Sequence, residues 1–258
     1  FQFLNSLQNR ESLAALYIQG KLNNMQTHLM HRLKRKKDKL ISTAILQNQA
    51  ILDKIEQSSP NLDTLRGYEG IASKNYFSAF PALISNPQFI FTGRNRRPPK
   101  DEVNALLSLG YTFLMNQVMG ATYISGLDPY YGALHDIAYG RQSLALDLME
   151  EFRPLVDNLV INLINRREIR PEHFAYNQIP DDETEEEDLD ENTKMLPVSM
   201  QQEGMKILIT AFARMVNSRF NLEKPPGSWI LKDIFLLQAR KLAAHCEGKD
   251  NYTPFHWR

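Results

Sequence analysis

The sequence predicts an all-α chain, and three observations carry that prediction. Apolar residues recur at helical spacing in one segment after another. No stretch alternates apolar and polar residues as a half-buried strand does, and no internal repeat is present. Clusters of Gly, Pro and Ser fall between the periodic segments, where turns belong. The length of 258 residues suits one large domain or two small ones. The reading adopted is one helical domain over 1–258, interrupted by an acidic insertion at 177–197.

The first helix is predicted from Glu11 to about Lys39, with Leu13, Ile18, Leu22, Met25, Leu29 and Leu33 on one stripe. Its end is strongly basic, through Arg32, Lys34, Arg35, Lys36, Lys37 and Lys39. Cations are favoured at a helix C-terminus in any case, so this end reads either as a solvated terminus or as a phosphate contact. Ile41 to Ile55 continues as helix and stops at Ser58-Ser59-Pro60. Leu62 to Ala79 is the next helix. It carries the pair Glu69-Gly70, where a glycine inside a helix costs about 1 kcal/mol relative to Ala. Such a glycine points to close approach by a backbone or a ligand, but by itself Glu69 reads as an ordinary exposed helical glutamate.

Gln88 to Thr92 is at most a short extended piece. Arg94 to Lys100 is a basic loop broken by Pro98 and Pro99. Arg94, Arg96, Arg97 and Lys100 can lie along phosphates, for which the guanidinium fork is suited, or form a plain surface loop; DNA contact is favoured. Glu102 to Ser125 is apolar nearly all round and is expected to be central. Ser199 to Arg219 opens with a capping-box pattern at Ser199 and Gln202 and reads as amphipathic helix. Pro225-Pro226-Gly227 breaks it. Ser228 to Ala244 is the last helix, and Tyr252 to Arg258 is an aromatic tail that docks either on the core or on a partner.

Composition sets limits. The single Cys246 allows no internal disulfide, which fits a reducing compartment. No apolar run reaches the ~18 residues of a membrane span. No secretory leader is visible and the chain begins at Phe1, so it is expected to be a piece of a longer polypeptide. There is no Gly-rich phosphate loop, no defensible Ser-His-Asp pattern and no Cys-x-x-Cys. The formal net charge of zero conceals segregation. Nine of the 30 acidic residues lie between Asp181 and Glu191, so elsewhere 30 basic residues face 21 acidic ones. That body suits a polyanionic partner as well as a solvated surface. The acid run cannot pack a core and is expected to be a solvated, disordered insertion.

The chemistry concentrates between Gly126 and Pro154. Gly126, Pro129 and Gly132 mark a turn, His135 follows on a short loop, and Ser143 is the expected N-cap of a helix. Asp147 and Glu150 are three apart and share a face of that helix. Leu144, Leu148, Met149, Phe152, Leu155, Val156 and Leu159 form the face that buries it, and Pro154 is expected to kink or split it. One imidazole and two carboxylates beside a buried helix are the donor set of a hard divalent cation. A loop histidine standing alone is more often a packing residue. His173, His245 and His256 lie outside any acidic constellation.

Four segments together carry a family resemblance: GYEGIASKNYF (67–77), NRRPPKDEVNALLSLGY (95–111), GLDPYYGALH (126–135) and SLALDLMEEFRP (143–154). GKLNNMQTHLMHRLKR (20–35) and LQARKLAAHCEG (237–248) extend it. In order and spacing they resemble the CRISPR-associated integrase, the metal-dependent endonuclease of the adaptation module. The resemblance implies that Glu69, His135 and Glu150 are catalytic ligands of Mn²⁺ or Mg²⁺. Asp147 then supports the site or serves as an alternative ligand, with Arg153 paired to one of the acids. It implies DNA contacts from Arg94, Arg96, Arg97, Lys100 and Arg141.

As a function it implies insertion of new spacers into a CRISPR array by attack of a DNA 3′-hydroxyl, with hydrolysis as the related activity. The implied partners are double-stranded DNA, a second copy of the chain and a small ferredoxin-like CRISPR subunit, in a prokaryotic cytoplasm; some members are fused to a reverse transcriptase. The family's N-terminal β-rich domain is not found in this segment, and the acidic insertion departs from the family pattern. Two rival readings are a non-catalytic helical DNA-binding scaffold and a related transposon-encoded integrase.

Overall fold

In the computed structural model, the residues described are 9–34, 37–95, 98–176, 198–223 and 225–257. Seven long or medium helices and two short ones carry most of them. They are α1 (Arg10–Leu33), α2 (Lys39–Ser58), α3 (Leu62–Ser78), α4 (Phe80–Leu83), α5 (Glu102–Ile124), α6 (Ser143–Met149), α7 (Arg153–Asn165), α8 (Gln202–Val216) and α9 (Leu231–Cys246). A 3₁₀ turn, Glu150–Phe152, joins α6 to α7. The helical class expected from the sequence holds.

The stripe predicted for α1 is the stripe that is buried. Leu13, Ile18, Leu22, Met25 and Leu29 are all inaccessible, joined by Tyr17. Burying each such side chain stabilises the fold by roughly 1.5–3 kcal/mol. α1 packs against α2, α3, α7 and the 3₁₀ turn, while α5 packs against α6, α7 and α9. These two helices are therefore the centre of the molecule. Helix starts are fixed locally. The Asp38, Asn61 and Asp101 side chains accept from Leu40, Thr64 and Asn104 amides and satisfy orphan donors. Pro154 splits the long apolar segment as expected. It sits in the first turn of α7, where its missing N–H removes nothing.

Several local expectations are corrected. α1 ends at Leu33, and the basic run beyond it leads into α2 at Lys39, with Arg35 and Lys36 outside the described residues. Ser143 is not a cap: Gln142 holds that position, and the buried Ser143 hydroxyl donates to the Asp136 carbonyl at 2.7 Å. Ser199 does not open a helix. It lies in β2 (Val198–Met200), which pairs antiparallel with β1 (Phe174–Tyr176), and α8 starts only at Gln202.

The Pro225-Pro226-Gly227 breaker belongs to a hairpin. β3 (Arg219–Glu223) pairs antiparallel with β4 (Pro226–Ile230), so the last helix starts at Leu231 rather than Ser228. The hairpin's residues are exposed or half-buried, which is why their pattern lacks a strand's apolar face. Gln88–Thr92 forms no strand. Gly70 meets no backbone, for a Cβ built there has nothing within 4 Å. The acidic insertion lies outside the described residues.

The aromatic tail docks on the core. Tyr252 and Phe255 are buried, and Phe255 stacks on Phe152 with ring centroids 5.0 Å apart. Asn24 of α1 ties the tail down, donating to the carbonyls of Phe255 (2.8 Å) and Glu151 (2.7 Å) and accepting from the Trp257 amide (2.7 Å). The buried Glu151 carboxylate accepts from the Phe255 amide at 2.7 Å and from the Tyr252 hydroxyl at 3.0 Å. Burial pushes its pKa up to about 7 against those hydrogen bonds.

Candidate active site

The loop 132–136 is built around one carboxylate. Asp147 on α6 is fully buried. Its Oδ2 accepts from the amides of Ala133 (2.6 Å) and Leu134 (2.9 Å), and its Oδ1 from the amide of His135 (2.9 Å). Such a close wrap needs glycine at 132. A Cβ there would lie 2.8 Å from Asp147 Oδ2 and equally close to Ser143. Outside the loop, Arg66 donates to the Leu134 carbonyl (2.7 Å) and pairs with Asp136 (2.7 Å), and Arg10 pairs with Asp136 as well.

His135 Nδ1 lies 2.7 Å from Asp147 Oδ1. An ionised carboxylate only accepts, so Nδ1 carries the proton and Nε2 is the nitrogen left with a lone pair. His135 lines a cavity of ≈ 300 Å³ together with Glu69 from α3 and Glu150 from the 3₁₀ turn; Arg66, Arg141 and Arg153 also face it. Three residues that are remote in sequence and were expected to share a site thus line one cavity.

The two glutamates are held by cations. Arg153 Nε donates to Glu150 Oε1 at 2.9 Å, and its guanidinium stacks over the Tyr111 ring at 4.6 Å. The expected pairing of Arg153 with an acid of the site is therefore present. Lys21 of α1 places its ammonium between the two carboxylates, paired to Glu69 and 2.7 Å from Glu150 Oε2. Apart from that ammonium, the buried Glu150 Oε2 has no other partner among the described residues. Ser73 donates to Glu69 at 2.8 Å.

Burial alone would raise the pKa of Glu150, but Arg153 and then Lys21 outweigh it and hold the carboxyl down at about 2. Burial is likewise outweighed by Lys21 at Glu69, whose pKa is lowered. Lys21 itself is raised, since Glu150 and Glu69 together overcome its desolvation.

Lys21 was not singled out in the sequence. The available signal is a lysine inside an apolar stripe, with Tyr17 and Ile18 one turn before it and Met25 one turn after. Among the described residues, no group of three His, Cys, Asp or Glu side chains stands in metal-holding geometry. At Glu69 and Glu150 the cation present between the carboxylates is the Lys21 ammonium.

The remaining basic residues divide. Arg141 is exposed at the cavity. Arg94 is turned inward, donating to Asn104 Oδ1 (2.7 Å) and Ser108 Oγ (3.2 Å), and lines a second cavity of ≈ 660 Å³ with Lys74 and Tyr111. That cavity shares Glu69 and Arg153 with the first, and Lys21 lines it. Lys100 is exposed. Arg96 and Arg97 lie outside the described residues.

Residues 1–214 match the family model described as CRISPR associated protein Cas1. The CRISPR-associated endonuclease Cas1 1 of Chlorobaculum tepidum is 33% identical over 265 residues, covering 100% of this chain and 73% of that protein. The CRISPR-associated endonuclease Cas1 2 of Rhodospirillum rubrum is 36% identical, covering 96% and 71%. Among solved structures, a Cas1 protein from Thermotoga maritima superposes with a TM-score of 0.76 at 27% identity, covering 96% of this chain and 69% of the other. A casposase bound to an integration product superposes at 0.82, with 22% identity and 99% and 70% coverage, a likeness of fold. With a family match over most of its length and such relatives across nearly all of it, this chain belongs to the Cas1 family of CRISPR-associated proteins.

Proposed function

We propose that this chain carries the catalytic centre of a metal-dependent DNA integrase and endonuclease, acting on CRISPR DNA. The observation that carries the reading is the common cavity of Glu69, His135 and Glu150, with His135 oriented by Asp147.

The donor set fits a hard divalent ion. Two carboxylates and a neutral imidazole nitrogen suit Mn²⁺ or Mg²⁺ better than Zn²⁺, and the buried Oε2 of Glu150 already meets a cation, the Lys21 ammonium at 2.7 Å. Glu69, His135 and Glu150 are the residues that would hold it. When bound, such an ion lowers the pKa of an attacking hydroxyl or water and offsets charge on the phosphate.

This chain's own residues do the rest. Asp147 holds the proton of His135 on Nδ1, so that Nε2 keeps the lone pair a metal would take. Arg153 and Lys21 favour the ionised form of Glu150, and Lys21 favours that of Glu69. Arg66 and Arg141 offer guanidinium groups to a phosphate at the cavity. With a DNA 3′-hydroxyl as nucleophile, a new P–O bond forms as the original P–O3′ bond breaks, so strands join without ATP. With water the same exchange is hydrolysis.

The partners that go with this reading are a duplex DNA, a second copy of the chain and the small ferredoxin-like CRISPR subunit, in a prokaryotic cytoplasm. The excess of basic residues outside 181–191 supports the DNA partner. A strand-transfer assay in Mn²⁺ tests the reading. His135→Ala and Glu150→Ala should abolish joining while circular dichroism stays unchanged. Joining retained in both variants overturns the site. Joining retained in EDTA overturns the metal requirement, whereas salt-sensitive DNA binding with no joining in either Mn²⁺ or EDTA leaves a helical DNA-binding scaffold.

A further inference from the structure

The most informative group at the site is one the proposed chemistry does not use as a ligand. The side chain of Lys21 is 5% exposed, and its ammonium lies where the two glutamates face each other. Its position is imposed by the backbone. Gly20 is pressed so closely on the next layer that a Cβ there would lie 3.2 Å from Glu151 Cβ and 2.6 Å from Pro254 Cβ. α1 therefore runs hard against the turn that carries Glu150, and the lysine stem has little choice of direction.

Charge makes this placement consequential. Arg66, Arg141 and Arg153 line the cavity and Lys21 reaches its two glutamates from the adjoining one, so four cations stand against the three carboxylates Glu69, Asp136 and Glu150. Asp136 is already engaged by Arg10 and Arg66. Without a divalent ion, the cavity is thus already charge-compensated. An ion entering alone adds two positive charges to a partly desolvated site where neither glutamate is free to balance them. A phosphodiester entering with it brings the missing anion, and offers the Lys21 ammonium a new partner when it leaves the carboxylates.

We infer that Lys21 is an internal counter-cation that makes divalent-metal binding conditional on DNA. In the protein without DNA it occupies the electrostatic place of the metal. On DNA it is released toward the phosphate. Metal and DNA then bind cooperatively, and each tightens the other by the same factor. Lys21 acts here through the glutamates as a positioning residue. The inference rests on the metal-dependent reading above.

Mn²⁺ titrations followed by electron paramagnetic resonance of the free ion test it without turnover. The full chain is titrated alone and with a duplex whose 3′ ends are dideoxy-terminated. The wild type should bind Mn²⁺ at least about tenfold more tightly with the duplex than without it. Lys21→Met keeps the apolar stem and removes the charge. It should bind Mn²⁺ tightly without DNA, and the duplex should then change its affinity by less than about threefold. Lys21→Gln, a second neutral variant of similar length, should behave alike, and thermal melts establish that both are folded.

Wild-type affinity that is indifferent to DNA overturns the inference. So does a folded neutral variant whose Mn²⁺ affinity in the absence of DNA equals or falls below the wild type's. Both of these leave the metal reading intact. Absence of Mn²⁺ binding under every condition, with Glu150→Gln indistinguishable from wild type, removes the metal reading itself and the inference with it.

Discussion

The imidazole of His135 donates from Nδ1 to the buried carboxylate of Asp147 at 2.7 Å, and three backbone amides of the same loop point at that carboxylate. One acid thus shapes the loop and sets the tautomer of its histidine. The sequence marks both residues, but their relationship is reversed from a simple reading of paired carboxylates. Asp147 serves His135, whereas Glu150 faces the cavity.

Replacing Asp147 with Asn leaves one acceptor oxygen and sets an NH₂ group against N–H donors. Asp147→Asn should lower metal-dependent strand transfer by roughly 10–100-fold, as loss of a ligand's supporting partner does. Buried amides left without an acceptor should cost about 1–3 kcal/mol each in urea unfolding. Wild-type activity in Asp147→Asn, measured by gel assay, contradicts this role.

Gly132→Ala tests the loop by sterics alone. The added methyl would lie 2.8 Å from Asp147 Oδ2 and from Ser143, both buried, so the loop must shift. Overpacking of this kind costs roughly 1–3 kcal/mol. Strand transfer should fall alongside stability, because the His135 ring moves with the loop. Gly70→Ala is the contrasting control. Nothing lies within 4 Å of its Cβ, and it should be neutral or slightly stabilising.

Asp157 predicts a pH dependence of stability. It is buried beneath Tyr76 and Tyr111, whose hydroxyls donate to its two oxygens. Burial pushes its pKa from 3.8 up to about 6, in spite of those hydrogen bonds. Between these values the folded chain keeps a proton that the unfolded chain has lost. The contribution is complete below about 3.8 and is lost as pH rises through about 6. A shift of that size corresponds to about 3 kcal/mol. Asp157→Asn should remove this slope. The wild-type-minus-variant difference in unfolding free energy, measured from pH 3.5 to 7.5, checks it, and a flat difference refutes it.

Phe255 secures the tail to the turn that bears Glu150. It stacks on Phe152 and is 3% exposed. Phe255→Ala should cost roughly 3–5 kcal/mol, the usual range for a buried aromatic. Because Phe152 closes the 3₁₀ turn Glu150–Phe152, activity should decline more steeply with temperature than in the wild type. Urea unfolding and assays at two temperatures measure both effects.

Local chemistry was readable from the chain alone. Apolar spacing marked the buried stripe of α1, Pro154 marked the break between α6 and α7, and the family motifs marked Glu69, His135, Asp147 and Glu150. These depend on neighbours within a few turns. The β3–β4 hairpin was not readable, because its half-exposed residues carry no strand periodicity and the Pro225-Pro226-Gly227 run that leads into β4 reads as a simple breaker. Tertiary structure alone decided that Lys21 meets Glu69 and Glu150, residues 48 and 129 positions away. A lysine in an apolar stripe announces only that something must compensate its charge. Which carboxylates do so depends on how closely Gly20 lets α1 approach the turn, and that is a property of packing between helices.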